Sequence, residues 1–244
     1  MQRIYTKNHR SLSFKIQAPV SYFANCKTRI VKMTKQKNKQ KNIVPPEGIT
    51  ELLLHACCAP CSSAIVEWLL LHDIRPTIYY YNPNIYPLEE YEIRKTESKR
   101  HAEALGLRWI DDDYYHNEWL EAIKGMENEP ERGSRCLCCF KLRLVATAVK
   151  AKSLGIKHFA TTLASSRWKS LAQIEEAGLW AQNSVPGTEF WAQNWRKDGL
   201  QERRNQLLRE YDFYNQLYCG CEFSMSALQK NEMTSAEFCC SEKE

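Results

Sequence analysis

The residues best suited to chemistry in this 244-residue chain are its eleven cysteines, most of which stand in short clusters. Disulfide scaffolds are usually short secreted chains, whereas this chain is long and carries no apolar secretory signal. The clusters therefore predict metal binding or redox chemistry in a reducing, cytoplasmic compartment. The clusters are Cys57, Cys58 and Cys61; Cys136, Cys138 and Cys139; Cys219 and Cys221; and Cys239 and Cys240, with Cys26 alone.

Two of these clusters together supply the ligands of one metal centre. The vicinal pair Cys57-Cys58 and the Cys-x-x-Cys spacing of Cys136 and Cys139 provide four thiolates, the usual complement of a [4Fe–4S] cluster. Structural zinc normally takes its four thiolates from two Cys-x-x-Cys knuckles, and here a vicinal pair replaces one of them. Cys138 permits other pairings, but the spacing of 136 and 139 puts both sulfurs on one side of a helical turn. We therefore predict an iron–sulfur cluster on these four cysteines.

The remaining clustered cysteines have more open roles. Cys61 follows Cys58 by about one helical turn, so it could face the same cleft and hold a second metal, or it could simply pack. Cys219-Gly220-Cys221 can close a small, strained ring, and strained disulfides are easily reduced. This spacing predicts a redox-active dithiol, and the alternative is a pair of packed, reduced side chains.

Strands and helices alternate through the body of the chain, which predicts a parallel sheet with helices on both faces. We predict an α/β fold, with a doubly wound, mostly parallel, Rossmann-like sheet and a helical C-terminal part. This fold resembles the adenine nucleotide alpha hydrolase (PP-loop) type. Predicted strands span residues 51–56, 77–81, 107–110 and 157–162, and predicted helices span 62–72, 88–105, 139–154 and 199–214.

This order of elements places the cysteines where a ligand would bind. Cys57 and Cys58 directly follow the first strand, and the loops 82–87 and 161–167 follow two others. In doubly wound sheets ligands bind in the crevice at the carboxyl ends of the strands. Cys136 and Cys139 open a helix, where backbone N–H groups favour thiolates. We therefore expect all of these segments to converge.

Charge divides the chain into parts. Residues 1–45 hold eleven of the 34 basic residues and none of the 29 acidic ones, so the remainder has 23 basic and 29 acidic residues. We predict a disordered basic arm at 1–46, a single α/β iron–sulfur catalytic domain at 47–230, and a flexible tail at 231–244. The arm could attract RNA or be a solvated leader.

No apolar run is long enough to cross a bilayer, so no membrane association is expected.

Several motifs occur together, and in combination they resemble a known family, the cobalamin-independent epoxyqueuosine reductases of the QueH type. The resemblance covers about residues 50–225. It is carried by His55-Ala-Cys-Cys-Ala-Pro-Cys-Ser62, Tyr81-Asn-Pro-Asn-Ile85, Glu90-Tyr91 with Arg94, Arg135-Cys136-x-x-Cys139-Phe140, and Tyr218-Cys-Gly-Cys221 with Phe223-Ser224.

The resemblance implies a cofactor set. Cys57, Cys58, Cys136 and Cys139 would hold the [4Fe–4S] cluster, Cys219 and Cys221 would form the redox-active disulfide, and a mononuclear iron would lie beside the cluster. Some members of the family have Asp where this chain has Cys61. That difference affects only the expectation of a second iron, and not the four expected ligands of the cluster.

The resemblance also implies the reaction, which is reduction of the epoxide of epoxyqueuosine in tRNA to give queuosine. The partners would be tRNA and an electron donor. A modified base that leaves the anticodon stack needs aromatic surfaces, for which Tyr86, Tyr91 and Trp168 are candidates if they do not serve as core packing. Arg167 and Lys169 could contact tRNA phosphates or lie in a solvated loop.

Two other functions compete with this interpretation. Adenylylsulfate reductase resembles the chain in its Cys-Cys pair and distant Cys-x-x-Cys, but it expects a Gly-rich phosphate loop after the first strand, where this chain has Cys57-Cys58-Ala59-Pro60. The second competing function is that of a non-catalytic cluster carrier. A carrier hardly needs a cluster at the end of a strand together with a separate dithiol.

Overall fold

The computed structural model describes residues 43–112 and 114–225. Most of the predicted basic arm and all of the predicted tail lie outside the described residues, as do Cys26, Cys239 and Cys240.

Within these ranges, a five-stranded parallel sheet forms the centre of the molecule. Its order is β3-β2-β1-β4-β5, and every neighbouring pair is parallel. The doubly wound α/β prediction is confirmed. The strands are β1 (Glu51–His55), β2 (Arg75–Tyr80), β3 (Trp109–Asp111), β4 (His158–Thr161) and β5 (Glu189–Phe190).

Six helices of the described chain flank the sheet, and a short 3-10 helix, Thr162–Ser165, follows β4 directly. The right-handed crossovers expected of parallel strands place α1 and α2 on one face and α4 and α5 on the other. None of the described helices combines the length and apolar character needed to cross a membrane. The helices are α1 (Ala59–Leu71), α2 (Leu88–Ala104), α3 (His116–Ala122), α4 (Ser134–Ser153), α5 (Leu171–Ser184) and α6 (Leu200–Glu210).

Strand β1 lies at the centre of the core because both of its faces are covered. Leu52, Leu53 and Leu54 are fully buried in succession, as expected for a parallel strand between two helical layers. The order of the strands reverses between β1 and β4, because the chain winds outward from β1 in one direction and from β4 in the other. The segment after β1 and the 3-10 helix after β4 therefore meet at the topological switch point, where ligands bind in such sheets.

Three helix boundaries differ from prediction by three residues or more, and one of them is the end of α6, at Glu210 and not at residue 214. Helix α1 begins at Ala59 with Pro60 in its first turn, a position that tolerates the missing N–H, so Cys61 is already helical. Helix α4 begins at Ser134, so Cys136 and Cys139 both lie within its first two turns.

Helices α3 and α5 and strand β5 were not predicted. The buried side of α5 is built largely from small residues, Ala177, Gly178 and Ala181, together with Ile174. Gly178 is needed on that side, since a Cβ at this position would lie 2.0 Å from the ring of Phe190. The beginning of the helix does carry a signal, because the hydroxyl of Ser170 accepts a hydrogen bond from the backbone N–H of Gln173.

Candidate metal and redox centre

Three thiols meet at the switch point. The sulfurs of Cys57, Cys58 and Cys61 all lie within 4.8 Å of one another, and all three side chains are buried. In the described part of the chain this is the one group of three or more Cys, His, Asp or Glu residues close enough to hold a metal ion. Thiolates are soft ligands that select iron–sulfur clusters, zinc or copper.

The backbone before α1 explains why these sulfurs converge. Cys58 precedes the helix in an extended conformation, and the backbone N–H of Cys57 donates to Oγ1 of Thr162 at 3.2 Å. The same Thr162 hydroxyl lies 3.6 Å from the Cys57 sulfur. The 3-10 helix after β4 thus fixes the turn after β1, while the first turn of α1 brings in Cys61.

The three thiols differ in pKa. Hydrogen bonds from Cys58 and Cys61 lower the pKa of Cys57 well below its ordinary value, and the charges of Lys169 and Arg143 act in the same direction against burial. Cys58 has a raised pKa because its thiol donates to Cys57. The same donation to Cys57 raises the pKa of Cys61 to about 11. The group therefore holds one thiolate readily, and a metal ion would be needed to ionise all three.

Buried cations surround these sulfurs. Burial lowers the pKa of Lys169, but the negative charges of Cys219, Cys57 and Cys61 outweigh it and raise the pKa above its ordinary value. Arg143, also buried, donates toward the Cys139 sulfur at 3.9 Å and to Oδ1 of Asn82.

Of the two roles predicted for Lys169, the solvated loop is wrong, because the side chain is only 8% exposed. A contact with a tRNA phosphate stays a prediction. Arg167 lines the same cleft, and its side chain is exposed where that of Lys169 is buried.

The second cysteine cluster lies at the beginning of α4, outside the group of three. Cys139 is buried, and Cys136 is half-buried and accepts a hydrogen bond from the backbone N–H of Arg132. The Cys138 thiol points elsewhere and donates to the carbonyl oxygen of Ala122 at 3.3 Å. A small cavity is lined by Cys136, Lys169, Cys219 and Cys221, so Lys169 and Cys219 lie between the two cysteine clusters.

Cys219 and Cys221 are both free thiols in this structure. Cys221 is buried beside Cys139 and Trp119, and burial raises its pKa to about 11. Gly220 between them has φ +128°, and a Cβ there would lie 3.0 Å from a guanidinium nitrogen of Arg94. Glycine is therefore required at this position by both conformation and space.

Arg94 holds this loop in place. It donates to the carbonyl oxygens of Tyr218 and Cys219 at 3.4 and 3.3 Å, and its guanidinium lies 5.3 Å from the Tyr218 ring centroid. An ion pair with Glu90 at 2.6 Å fixes Arg94, and Glu90 also accepts a hydrogen bond from Tyr214. The beginning of α2 is thus connected to the Cys219–Cys221 segment.

Replacing Arg94 with methionine should lower the free energy of unfolding by about 3–5 kcal/mol, since the Glu90 carboxylate would stay buried without its cation. Urea denaturation followed by far-UV circular dichroism measures this loss. Lys99→Met, which removes an exposed ion pair with Glu103 on the same helix, is the control and should cost roughly 0–1 kcal/mol. Equal losses in the two variants would contradict the assignment.

A cleft of about 460 Å³ opens above Cys57 and Cys61. Its lining includes four basic side chains, Arg94, Arg167, Lys169 and Arg204, and none of the described residues adds a carboxylate to it. A cleft of one charge sign attracts anionic ligands.

The three aromatic candidates fall in different places. Trp168 lines the cleft and is 42% exposed, and Tyr86 is exposed and stacks on His116. Tyr91 is 1% exposed and packs on Tyr80, so it cannot receive a base.

Some residues of the site carried no usable sequence signal. Gln216 donates to the Cys58 sulfur at 3.0 Å and toward the Cys61 sulfur at 3.9 Å, but it lies outside every motif.

His55 belongs to the first cysteine motif but has a structural role. Its ring nitrogens form hydrogen bonds with the Thr161 hydroxyl and the carbonyl oxygen of Tyr81. Burial and the Arg143 charge lower the pKa of His55 to about 3, so it stays neutral.

The chain was compared with known proteins. The family model described as "Epoxyqueuosine reductase QueH" matches residues 52–227. The chain belongs to the QueH family of epoxyqueuosine reductases. This family is one of oxidoreductases, and its match includes every cysteine from Cys57 to Cys221.

Individual relatives agree with the family match. Proteins named epoxyqueuosine reductase QueH from Acinetobacter baylyi and Haemophilus influenzae are each 45% identical over 180 residues. These alignments cover 74% of this chain in both cases, and 83% and 74% of the relatives. A relative of the same name from Thermotoga maritima is 34% identical over 177 residues, which is 71% of this chain and 90% of the relative. The QueH match disfavours both the adenylylsulfate reductase and the carrier alternatives.

Proposed function

We propose that this chain reduces the epoxide of epoxyqueuosine in tRNA to the alkene of queuosine. The observation that carries the proposal is the buried group of three thiols at the switch point of a QueH-family α/β fold, two of which, Cys57 and Cys61, line a basic cleft. A reductase needs a redox-active group beside its substrate, and a tRNA enzyme needs a cationic approach to that group.

The cofactor we propose is a [4Fe–4S] cluster held by Cys57, Cys58, Cys136 and Cys139. The residues fit such a cluster by donor chemistry, since all are thiols, and by charge, since a guanidinium nitrogen of the buried Arg143 lies 3.9 Å from the Cys139 sulfur. When bound, the cluster supplies electrons one at a time, and a neighbouring iron can polarise an oxygen as a Lewis acid. Cys61, in contact with Cys57 and Cys58, is the ligand proposed for that second iron.

Cys219 and Cys221 are proposed as the dithiol that passes electrons inward from an external donor. Removal of the epoxide oxygen takes two electrons, and a dithiol that closes to a disulfide releases two electrons and two protons. Cys219 lines the cleft together with Cys57, and Cys221 packs beside Cys139, so the pair lies between the proposed cluster ligands. Arg94 keeps this segment in position.

The substrate would enter with its modified base in the cleft. Trp168 is the aromatic surface we propose for the base, because it is exposed and lines the cleft. Arg167, which precedes Trp168, and Arg204, on α6, also line the cleft, and we propose that they contact flanking phosphates.

Arg167→Gln and Arg204→Gln should each weaken tRNA binding and reduce the slope of log K against log salt by about one. Filter binding or fluorescence anisotropy over a salt series measures the slope. Arg108→Gln removes an exposed arginine that does not line the cleft and should leave the slope as in the wild type. Unchanged slopes for both cleft variants would mean that the tRNA phosphates do not contact Arg167 or Arg204.

The proposal is tested by anaerobic reconstitution with iron and sulfide, followed by incubation with epoxyqueuosine-containing tRNA and a chemical reductant. Nucleosides from the digested tRNA are separated by mass. We expect conversion of epoxyqueuosine to queuosine, with loss of one oxygen. Reconstituted protein that binds this tRNA but leaves the epoxide intact would contradict the proposal.

A further inference from the structure

Lys169 is a buried cation whose charged end faces the reacting region. It is 8% exposed, and it lines the cleft together with Cys57, Cys61 and Cys219. Burying an ammonium group is costly unless the group is compensated. The charges of Cys219, Cys57 and Cys61 compensate the charge of Lys169, but among the described residues no hydrogen bond occupies its N–H donors.

Two buried cations line the cleft, Arg94 and Lys169, and among the described residues only Arg94 has a direct partner. Within residues 43–112 and 114–225, the ammonium of Lys169 makes no hydrogen bond and no ion pair with a carboxylate. Arg94 is committed to Glu90 and to the loop carbonyls. Arg204 is bound to the side-chain oxygens of Asn205 and Asn215. Three N–H donors of Lys169 are thus available to whatever enters the cleft.

The backbone that carries Lys169 is held by side chains from outside the cleft. Arg196 donates to the carbonyl oxygens of Ser166 and Lys169, the second at 2.8 Å. Arg132 donates to the carbonyl oxygen of Trp168 at 2.8 Å and to that of Arg167 at 3.3 Å. Four consecutive carbonyl groups are therefore fixed, and a donor on such a segment is preorganised.

We infer that Lys169 is a catalytic residue that donates a hydrogen bond to the substrate oxygen and stabilises the negative charge on it as the C–O bonds break. This inference rests on the proposed function. Both C–O bonds of the epoxide are broken and a carbon–carbon double bond forms. The substrate must gain two electrons, which the proposed metal centre would supply when reduced, and the oxygen takes up two protons, ultimately from water, and leaves as water. Charge appears on oxygen before those protons arrive, next to the Lys169 ammonium.

The competing role for Lys169 is to neutralise the cysteine thiolates, and three variants separate the two. Lys169→Met keeps an unbranched side chain that is one atom shorter, and it removes the charge and the donors. Lys169→Arg keeps a charge and donors. Lys99→Met makes the same chemical change at an exposed position on α2 outside the cleft. Each protein is reconstituted without oxygen, its iron is counted, its affinity for queuosine-containing tRNA is measured, and it is reduced and mixed with epoxyqueuosine-containing tRNA for a single turnover.

We expect Lys169→Met to retain wild-type iron content and wild-type affinity for the product tRNA, and to slow the single turnover by about a hundredfold or more. Lys169→Arg should recover part of the rate, and Lys99→Met all of it. A wild-type rate in Lys169→Met overturns the inference. So does loss of iron in Lys169→Met that Lys169→Arg restores, since that would make the residue a counter-ion to the thiolates. Failure of the wild-type protein to reduce the epoxide would instead count against the proposed function.

Discussion

Cys57→Ala is expected to lose most of the bound iron and all measurable reduction of epoxyqueuosine. Cys57 lies in the buried group of three thiols, and its pKa is the one lowered by its neighbours, so it is the thiol most ready to bind a metal as a thiolate. A cluster that loses a thiolate ligand at a buried site has no replacement from water of comparable softness. Iron and acid-labile sulfide per protein, measured after anaerobic reconstitution, give the result directly.

Cys138→Ala is the matched control for this prediction. Cys138 lies in the same turn of α4 as two proposed ligands, but its thiol donates to the carbonyl oxygen of Ala122. The variant should keep wild-type iron and turnover, whereas Cys136→Ala and Cys139→Ala should behave as Cys57→Ala does. If Cys138→Ala loses iron and Cys136→Ala does not, the assigned ligand set is incorrect.

The second large effect is expected at the dithiol. Cys219→Ser and Cys221→Ser should each keep iron and colour and lose most multiple-turnover activity, because neither thiol is a proposed cluster ligand. The structure places Cys219 at the cleft and Cys221 against Cys139, which is where an electron relay would be needed. A dithiol relay works only if both sulfurs are present, since the disulfide joins the two and the mixed disulfide formed during its reduction is resolved by the second thiol.

Thiol trapping distinguishes this relay from two packed side chains. Wild-type protein is cycled with oxidant, denatured in alkylating agent and analysed by mass spectrometry. The peptide containing residues 219–221 should carry two fewer alkyl groups than the same peptide from reduced protein. If both thiols remain alkylated under every condition and both serine variants turn over normally, the redox-pair proposal is wrong.

Much of the fold could be predicted because its signals are local. The apolar run of β1 and the strand–helix alternation that follows it are sufficient to predict a parallel sheet, and that sheet fixes where Cys57 and Cys58 must lie. Helix α5 could not be predicted in the same way. Its buried side uses small residues such as Gly178 to admit Phe190, and that fit depends on a strand that comes later in the chain.

The site was predictable to the extent that cysteine spacing determines it. The cysteine clusters could be identified as candidates because thiols are rare and their spacing is characteristic, and the structure brings three of them, Cys57, Cys58 and Cys61, together. Lys169 and Gln216 could not be assigned, since a lysine in a polar loop usually lies in solvent and a lone glutamine has no pattern. Their roles depend on long-range packing: on Arg196 holding the Lys169 backbone, and on the return of the chain past α6 to bring Gln216 to Cys58.

The measurement that tests the central claim most directly is the metal and sulfide content of protein purified without oxygen. We expect a brown protein with broad visible absorption that contains iron and acid-labile sulfide, as thiolate-bound iron–sulfur clusters do. A colourless protein with stoichiometric zinc on the same cysteines would contradict that claim, because zinc has no redox chemistry with which to reduce an epoxide.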